Sequence, residues 1–255
     1  MKPLSIYLHI PFCVSKCAYC DFVSYKATSA HSVEDYMTHV IQEIELYHKT
    51  LKDSEIKTIY FGGGTPSSVD AKWIGRLVQA IKTHSVLASD CEITIEVNPG
   101  TLTNDKINQY LAAGVNRVSM GLQTTNDTLL KTIGRIHTTN DFIVTYQALR
   151  DAGFNNINLD LMFGLPGQTI EDIYHAIDLI QTLNPEHVSA YGLKLEEGTP
   201  MYEAYNKGLI QLVDEALERE MYHTIDTELA KRKIYAYELS NFAKPGFAKF
   251  ESSYA

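Results

Sequence analysis

The spacing of apolar residues along the chain switches repeatedly between two periods. Residues 4–9 alternate and are rich in β-branched and aromatic side chains, which predicts a strand; from Val33 the apolar positions Tyr36, Met37, Val40, Ile41, Ile44 and Tyr47 recur at helical spacing. The same alternation predicts further strands at 56–61, 92–97, 115–121, 156–162 and 187–193. Helices are predicted near 70–83, 104–113, 140–152 and 170–183, the last opened by a capping box of Thr169 and Asp172. Six strands separated by helices imply an α/β fold with a parallel sheet. An open doubly wound sheet and a barrel both satisfy the pattern, and both place ligands beyond the carboxyl ends of the strands. After Gly198 the composition changes, with a helix predicted at 213–231 and a strand at 234–239. The expected organisation is a core domain over 1–198 and the start of a further region over 199–255.

Composition adds exclusions. The 255 residues are 45% hydrophobic, ample for a full core, and 22 Lys+Arg stand against 31 Asp+Glu for a formal charge of −9. That charge opposes general attraction to nucleic acid or to an anionic membrane. No apolar run approaches the roughly 18 residues of a membrane span, and MKPLSIYLHIPF is too short and strand-like for a signal peptide, so a cytoplasmic protein without a transmembrane segment is expected.

Three of the four cysteines fall within eight residues, which is not how a secreted disulfide framework distributes them. The spacing Cys13-x-x-x-Cys17-x-x-Cys20, directly after a predicted strand, supplies three thiolates where a cubane cluster has four irons, leaving one iron to find a ligand elsewhere. A zinc site would want a fourth ligand, and the nearest candidate, His9, lies within the strand. Cys91, just before another strand, reads as a small core residue. Gly62-Gly63-Gly64-Thr65-Pro66 follows the second strand, where glycines permit close approach of backbone to a ligand or simply make a turn. Glu96 ends the third strand, either as an acceptor for hydroxyl or cationic groups or as a solvated terminus. Asp160 lies in the apolar run NINLDLMFGLPGQ, where it must pair with a cation, for which Arg135 is the candidate, or contact a ligand.

The run YLHIPFCVSKCAYCDF resembles the radical SAM signature, specifically that of the coproporphyrinogen-oxidase-like group, and the resemblance extends from about Ser5 to Phe247, including LSNFAKPGF. It implies a partial (β/α)6 TIM-type barrel and a [4Fe-4S] cluster on Cys13, Cys17 and Cys20. It also implies that S-adenosylmethionine chelates the open iron and is cleaved by one electron to a 5′-deoxyadenosyl radical. By the same resemblance Tyr7, Gly63 and Glu96 match residues around one S-adenosylmethionine, and Tyr19, Gly64, Thr65, Gln123, Arg135 and Asp160 match residues around a second. Two departures from the oxidases matter: Asp21-Phe22 follows the third cysteine in place of a further cysteine, and almost no chain precedes the first strand. These features resemble the heme chaperones of the group, which implies heme as cargo, heme-acceptor proteins as partners, and no catalytic residue in the strict sense. The alternative is an oxygen-independent oxidase of porphyrin biosynthesis, taking coproporphyrinogen III to protoporphyrinogen IX. None of the nine histidines has a spacing that identifies a heme ligand, and the electron donor is not legible. Where the family continues beyond AKPGF into a further domain, this chain reads AKFESSYA, so a truncated C-terminal region is expected.

Overall fold

The computed structural model describes residues 1–26 and 30–248, and the final AKFESSYA stretch lies largely outside them. Six strands, β1 (Lys2–Ile10), β2 (Ser54–Gly63), β3 (Val86–Val97), β4 (Arg117–Gln123), β5 (Ile157–Phe163) and β6 (His187–Gly192), pair in parallel in sequence order. Two short strands, β7 (Tyr235–Ala236) and β8 (Asn241–Ala243), extend the sheet antiparallel beyond β6, so the ladder runs open from β1 to β7. β4 is buried along its whole length and β5 almost so, as expected of parallel strands covered on both faces.

The helices are α1 (Ala30–Leu46), α2 (His48–Lys52), α3 (Lys72–His84), α4 (Asn104–Ala113), α5 (Asp127–Thr132), α6 (Thr139–Asp151), α7 (Ile170–Leu183), α8 (Pro200–Asn206) and α9 (Glu215–Lys231). Their ends follow local chemistry. Thr103 caps α4, and Gly114 closes it in the left-handed conformation. Thr138 with Asp141, and Thr169 with Asp172, form complete capping boxes on α6 and α7. No helix among the described residues is long and apolar enough to cross a membrane.

Sequence periodicity locates the six long strands, α4 and α7 closely. It misses α2, α5 and α8, of five, six and seven residues, which are too short to display a 3.6-residue period. The strand predicted at 234–239 is corrected to the two-residue β7, with β8 carrying the pairing to β6. The segment after Gly198, expected to open another region, contributes Met221, Ile225 and Leu229 of α9 and Phe242 of β8 to the same central core. A second, smaller apolar cluster of Leu129, Leu130, Ile133, Met162, Leu165 and Met201 packs against Ala18 and Tyr19 of the cysteine loop. Two of the unpredicted helices, α5 and α8, thus contribute to the cushion beneath that loop.

Candidate cofactor site

A cavity of about 350 Å³ opens at the carboxyl end of the sheet and is walled by residues from β2 through β6. Strands at both sides of the sheet reach one cavity only if the sheet curves around it, as in a partial barrel. The size suits a small-molecule cofactor. Cys13, Cys17, Cys20, Tyr19, Gly63, Gly64, Thr65, Glu96, Gln123, Arg135 and Asp160 all line it. Tyr7 stands beside it, stacked on the lining residue Tyr60 at 6.0 Å between ring centroids. It is 51% exposed, so it is not an aromatic of the packed core.

The cysteine loop is held by point contacts on three sides. The Ala18 N–H donates to the Ile133 carbonyl at 3.0 Å, and the Ala18 carbonyl accepts from the Met201 N–H at 2.9 Å. The Gly64 and Thr65 N–H groups donate to the Ile10 and Phe12 carbonyls at 2.9 and 2.8 Å, prolonging the β1–β2 ladder into the loop. A Cβ on Gly64 would lie 2.8 Å from the Phe12 carbonyl oxygen and 2.9 Å from its nitrogen, so only glycine fits there. His9 ties the far side: its Nε2 donates to the Val23 carbonyl at 2.8 Å, which leaves Nδ1 to accept from the Tyr7 hydroxyl at 3.1 Å. Both nitrogens are occupied, which removes His9 as a metal ligand.

Cys13 is buried, whereas Cys17 and Cys20 are half-buried. Burial raises the Cys20 thiol pKa, and the neighbouring Cys17 and Cys13 raise it further, as three thiols crowding one wall must. Among the described residues no three His, Cys, Asp or Glu side chains converge tightly enough to hold a single metal ion. A zinc site would need that convergence. In a cubane each cysteine binds its own iron, so the sulfurs stand further apart, and three free thiols lining one polar cavity fit that donor set. Cys91 lies buried in the central core, away from this wall.

The opposite wall carries the carboxylates. Glu96 accepts from the Tyr60 hydroxyl at 2.8 Å and from the Gly63 N–H at 3.2 Å, with Gly63 at φ +114°. Burial is the main cause of a pKa pushed up to about 7, with Asp160 adding to it and the Tyr60, Gly63 and Arg135 contacts opposing it. The Tyr7 hydroxyl is raised to about 12 by burial and by Glu96. Asp160 is likewise raised, chiefly by burial. Its Oδ1 accepts from Asn158 Nδ2 at 2.7 Å and Ser119 Oγ at 3.3 Å. The expected ion pair with Arg135 is therefore corrected. The Arg135 guanidinium donates to Asn98 Oδ1 at 2.7 Å and acts on Asp160 as a nearby charge, while the two neutral neighbours hold Oδ1 of the carboxylate. Burial raises the Tyr19 hydroxyl, and Arg135 partly offsets this. Gln123 sits at φ +66°, a conformation that costs a non-glycine residue on the order of 1 kcal/mol and that turns its side chain toward the cavity as β4 ends.

Several cavity residues were not anticipated. Asn98 Nδ2 donates to Thr65 Oγ1 at 2.9 Å, and Thr65 Oγ1 donates to Cys13 Sγ at 3.6 Å, so Arg135, Asn98, Thr65 and Cys13 form one line of contacts. Arg117, 1% exposed, lies 3.9 Å from Glu92 and lines the cavity floor. A charged residue at the head of the apolar strand run RVSMGL was the available signal for Arg117, and the lone polar residue two positions after Glu96 in EVNPG was the signal for Asn98.

Residues 7–180 match the radical SAM superfamily. The chain is 40% identical to the heme chaperone HemW of Bacillus subtilis (strain 168) over 95% of its own length and 64% of that protein's. It is 35% identical to heme chaperone HemW of Escherichia coli (strain K12), over 97% of its length and 64% of that protein's. It therefore spans somewhat less than two thirds of these relatives. Among solved structures it superposes on coproporphyrinogen III oxidase (HemN) from Escherichia coli, a radical SAM enzyme, with a TM-score of 0.85 and 27% identity, covering 96% of this chain and 56% of that one. The curved parallel sheet, the cysteine loop after its first strand and the match over residues 7–180 lead to one conclusion: the chain belongs to the radical SAM superfamily.

Proposed function

We propose that this chain is the radical SAM portion of a heme chaperone, holding a [4Fe-4S] cluster on Cys13, Cys17 and Cys20 and S-adenosylmethionine in the adjoining cavity, with heme as cargo passed to acceptor proteins. The observation that carries the reading is the convergence of the three thiols with Gly63, Glu96, Gln123, Arg135 and Asp160 on one cavity, in a chain 40% identical to a HemW heme chaperone. Held by Cys13, Cys17 and Cys20, a cluster would supply one electron to the sulfonium of S-adenosylmethionine. The chain's own residues bind and orient: the Gly63 backbone lets an amino group approach, and Glu96 and Asp160 accept from amino or ribose hydroxyl groups. Arg135 and Lys16 supply positive charge beside the thiolates, since both line the cavity. Tyr7, Tyr19, Gly64 and Thr65 complete the walls, with room for a second S-adenosylmethionine left to titration. Clustered thiols suit a reducing compartment, so we place the protein in the cytoplasm.

The test is anaerobic reconstitution followed by EPR with and without S-adenosylmethionine, which should perturb the cluster signal. Cys17→Ala should abolish the cluster and Cys91→Ala should not; a fully assembled cluster in Cys17→Ala protein sinks the ligand assignment. The likeness to coproporphyrinogen III oxidase favours a second reading, oxidative decarboxylation of coproporphyrinogen III. Heme titration beside an anaerobic decarboxylation assay separates the two. Heme binding without turnover supports the chaperone, and turnover supports the oxidase.

A further inference from the structure

Asp160 is joined to the C-terminal strands by hydrogen bonds whose directions are all fixed. Register places Asn158 opposite His187 and Asp160 opposite Ser189, so the polar side chains of β5 and β6 share the concave face. While ionised the Asp160 carboxylate only accepts, so the amide nitrogen of Asn158 is the donor across their 2.7 Å contact. That turns Asn158 Oδ1 toward His187 Nδ1 at 2.6 Å, and an amide oxygen cannot donate, so His187 must carry its proton on Nδ1. Burial holds the His187 ring neutral, with Arg117 adding to the effect. A neutral ring protonated on Nδ1 has only an acceptor at Nε2, and the Tyr237 hydroxyl, 2.8 Å away, must therefore donate to it. His187 is fully buried and lies 5.6 Å from the Tyr237 ring, nearly perpendicular to it.

We propose that His187 and Tyr237 are positioning residues, and that the directed chain Tyr237→His187→Asn158→Asp160 couples the C-terminal strand segment to the orientation of Asp160 in the cofactor cavity. The proposal rests on the reading that Asp160 faces a bound ligand. Among the described residues the bonds from Asn158 and Ser119 both land on Oδ1, and Asp160 lines the cavity. A second strand of the network runs from Asn158 Oδ1 to Ser189 Oγ at 3.2 Å and on to Asn241 Oδ1 at 2.6 Å, and Asn241 Nδ2 donates to Glu238. Ser189 has one hydroxyl proton for two acceptors, so this branch competes with itself, whereas the histidine branch has one donor for every acceptor. The segment carrying Tyr237 and Asn241 is therefore wired to the site at two points. Hydrogen bonds in such a chain polarise one another, which lets a change at one end be felt at the other.

The experiment uses the whole chain without cofactors, by long-range proton–nitrogen NMR of the histidine rings, with His187 assigned by its disappearance in His187→Asn. The expected His187 signal is a neutral ring protonated on Nδ1 throughout the neutral range; an Nε2-protonated ring overturns the proposal. In Tyr237→Phe, where only a partly exposed hydroxyl is removed, the His187 Nε2 resonance and the Asp160 carboxyl carbon should both move. Phe242→Leu on the neighbouring strand should leave the Asp160 carboxyl carbon in place. Movement of Nε2 without movement at Asp160 shows three separate contacts and no coupling, and it too overturns the proposal. On reconstituted protein Tyr237→Phe should weaken S-adenosylmethionine about threefold, the scale of one modest hydrogen bond. If the parent protein binds no S-adenosylmethionine at all, the functional reading fails while the NMR result on the chain still stands.

Discussion

The parallel sheet and the cysteine loop are held by different means. Phe61, Ile95, Val118, Leu159 and Val188, one from each of five adjacent strands, are fully buried, so each contact is backed by many others. The loop after β1 leaves Val14, Phe22 and Val23 more than half exposed and is held by a two-residue pairing of Phe12–Cys13 with Tyr25–Lys26 at its ends and by individual bonds at Ala18, Gly64, Thr65 and His9. A region with few buried apolar contacts opens at low free energy, and bound metal can complete its order. The sheet therefore sets whether the chain folds, and on the proposed function the loop sets whether the folded chain holds a cluster.

The largest contrast comes from one truncation in each region. Phe61→Ala, at a fully buried β2 position, should lower the unfolding free energy by about 3–5 kcal/mol in urea denaturation. Cys17→Ala should move the same midpoint by less than about 1 kcal/mol without cluster, because its side chain lies at the cavity wall, and yet should abolish iron and sulfide uptake. A large loss of apo stability in Cys17→Ala would erase the distinction. Gly64→Ala falls between. Its Cβ meets the backbone of Pro11 and Phe12, so about 1–3 kcal/mol of strain should be relieved by lifting the loop, and reconstituted iron content should fall several-fold. Normal iron content in that variant would show that the loop docks without its tight approach to β2.

Legibility divides along the same line. The strands and long helices follow from period, since a residue such as Leu159 is apolar for the same reason as its neighbours on the face. The three cysteines and the Gly62–Thr65 segment are legible because their chemistry demands particular residues at particular spacings. What supports the loop is not legible. Ile133, just after a six-residue helix, and Met201, on a seven-residue one, are ordinary apolar residues, and their backbone bonds to Ala18 appear only when distant segments meet. The partner of Asp160 was misjudged for a related reason. Arg135 was the visible cation, but register places Asn158 two residues earlier on the same face of β5, and Ser119 comes across from β4.

The site wall carries its own pH dependence. Glu96 titrates at about 7 in the folded chain against an ordinary 4.5, so the native state binds the extra proton across that window. Stability on account of this group is full below about 4.5 and declines as pH rises toward 7, because the buried carboxyl must then ionise. Tyr60 and Gly63 donate to different oxygens of Glu96, so Glu96→Gln keeps an acceptor for one of them only, and it cannot ionise. Without cofactor it should be more stable than the parent by on the order of 2 kcal/mol at pH 8, with the gap vanishing near pH 4. Parallel stability curves across that range would show that Glu96 is solvated. The same variant should bind S-adenosylmethionine more weakly if the carboxylate contacts it.

The smallest expected effect separates the two regions most finely, because it makes the same kind of change in each. Thr169 caps α7, whose Ile173, Ala176, Ile177 and Ile180 are buried in the central core. Asn126 caps α5, accepting from the N–H groups of Thr128 and Leu129, and α5 with its C-cap residue delivers Leu129, Leu130 and Ile133 to the cushion under the cysteine loop. Removing either cap leaves backbone donors unsatisfied at a cost of about 1 kcal/mol. In Thr169→Ala that loss is shared by a helix docked on the sheet, so it should appear as a lower global midpoint with unchanged cluster content. In Asn126→Ala it falls on a six-residue helix, which can fray without unfolding the sheet. The Ile133 carbonyl that anchors Ala18 then loses its fixed position, so the midpoint should barely move while amide exchange at Ala18 quickens and cluster assembly slows. Asn126 also donates to Asp172 Oδ1 at 2.9 Å, which links the two caps directly. Additive losses in the double variant would show that this link transmits nothing and that loop and sheet are energetically separate. A loss in the double variant larger or smaller than the sum would place the coupling between them at the Asn126–Asp172 contact.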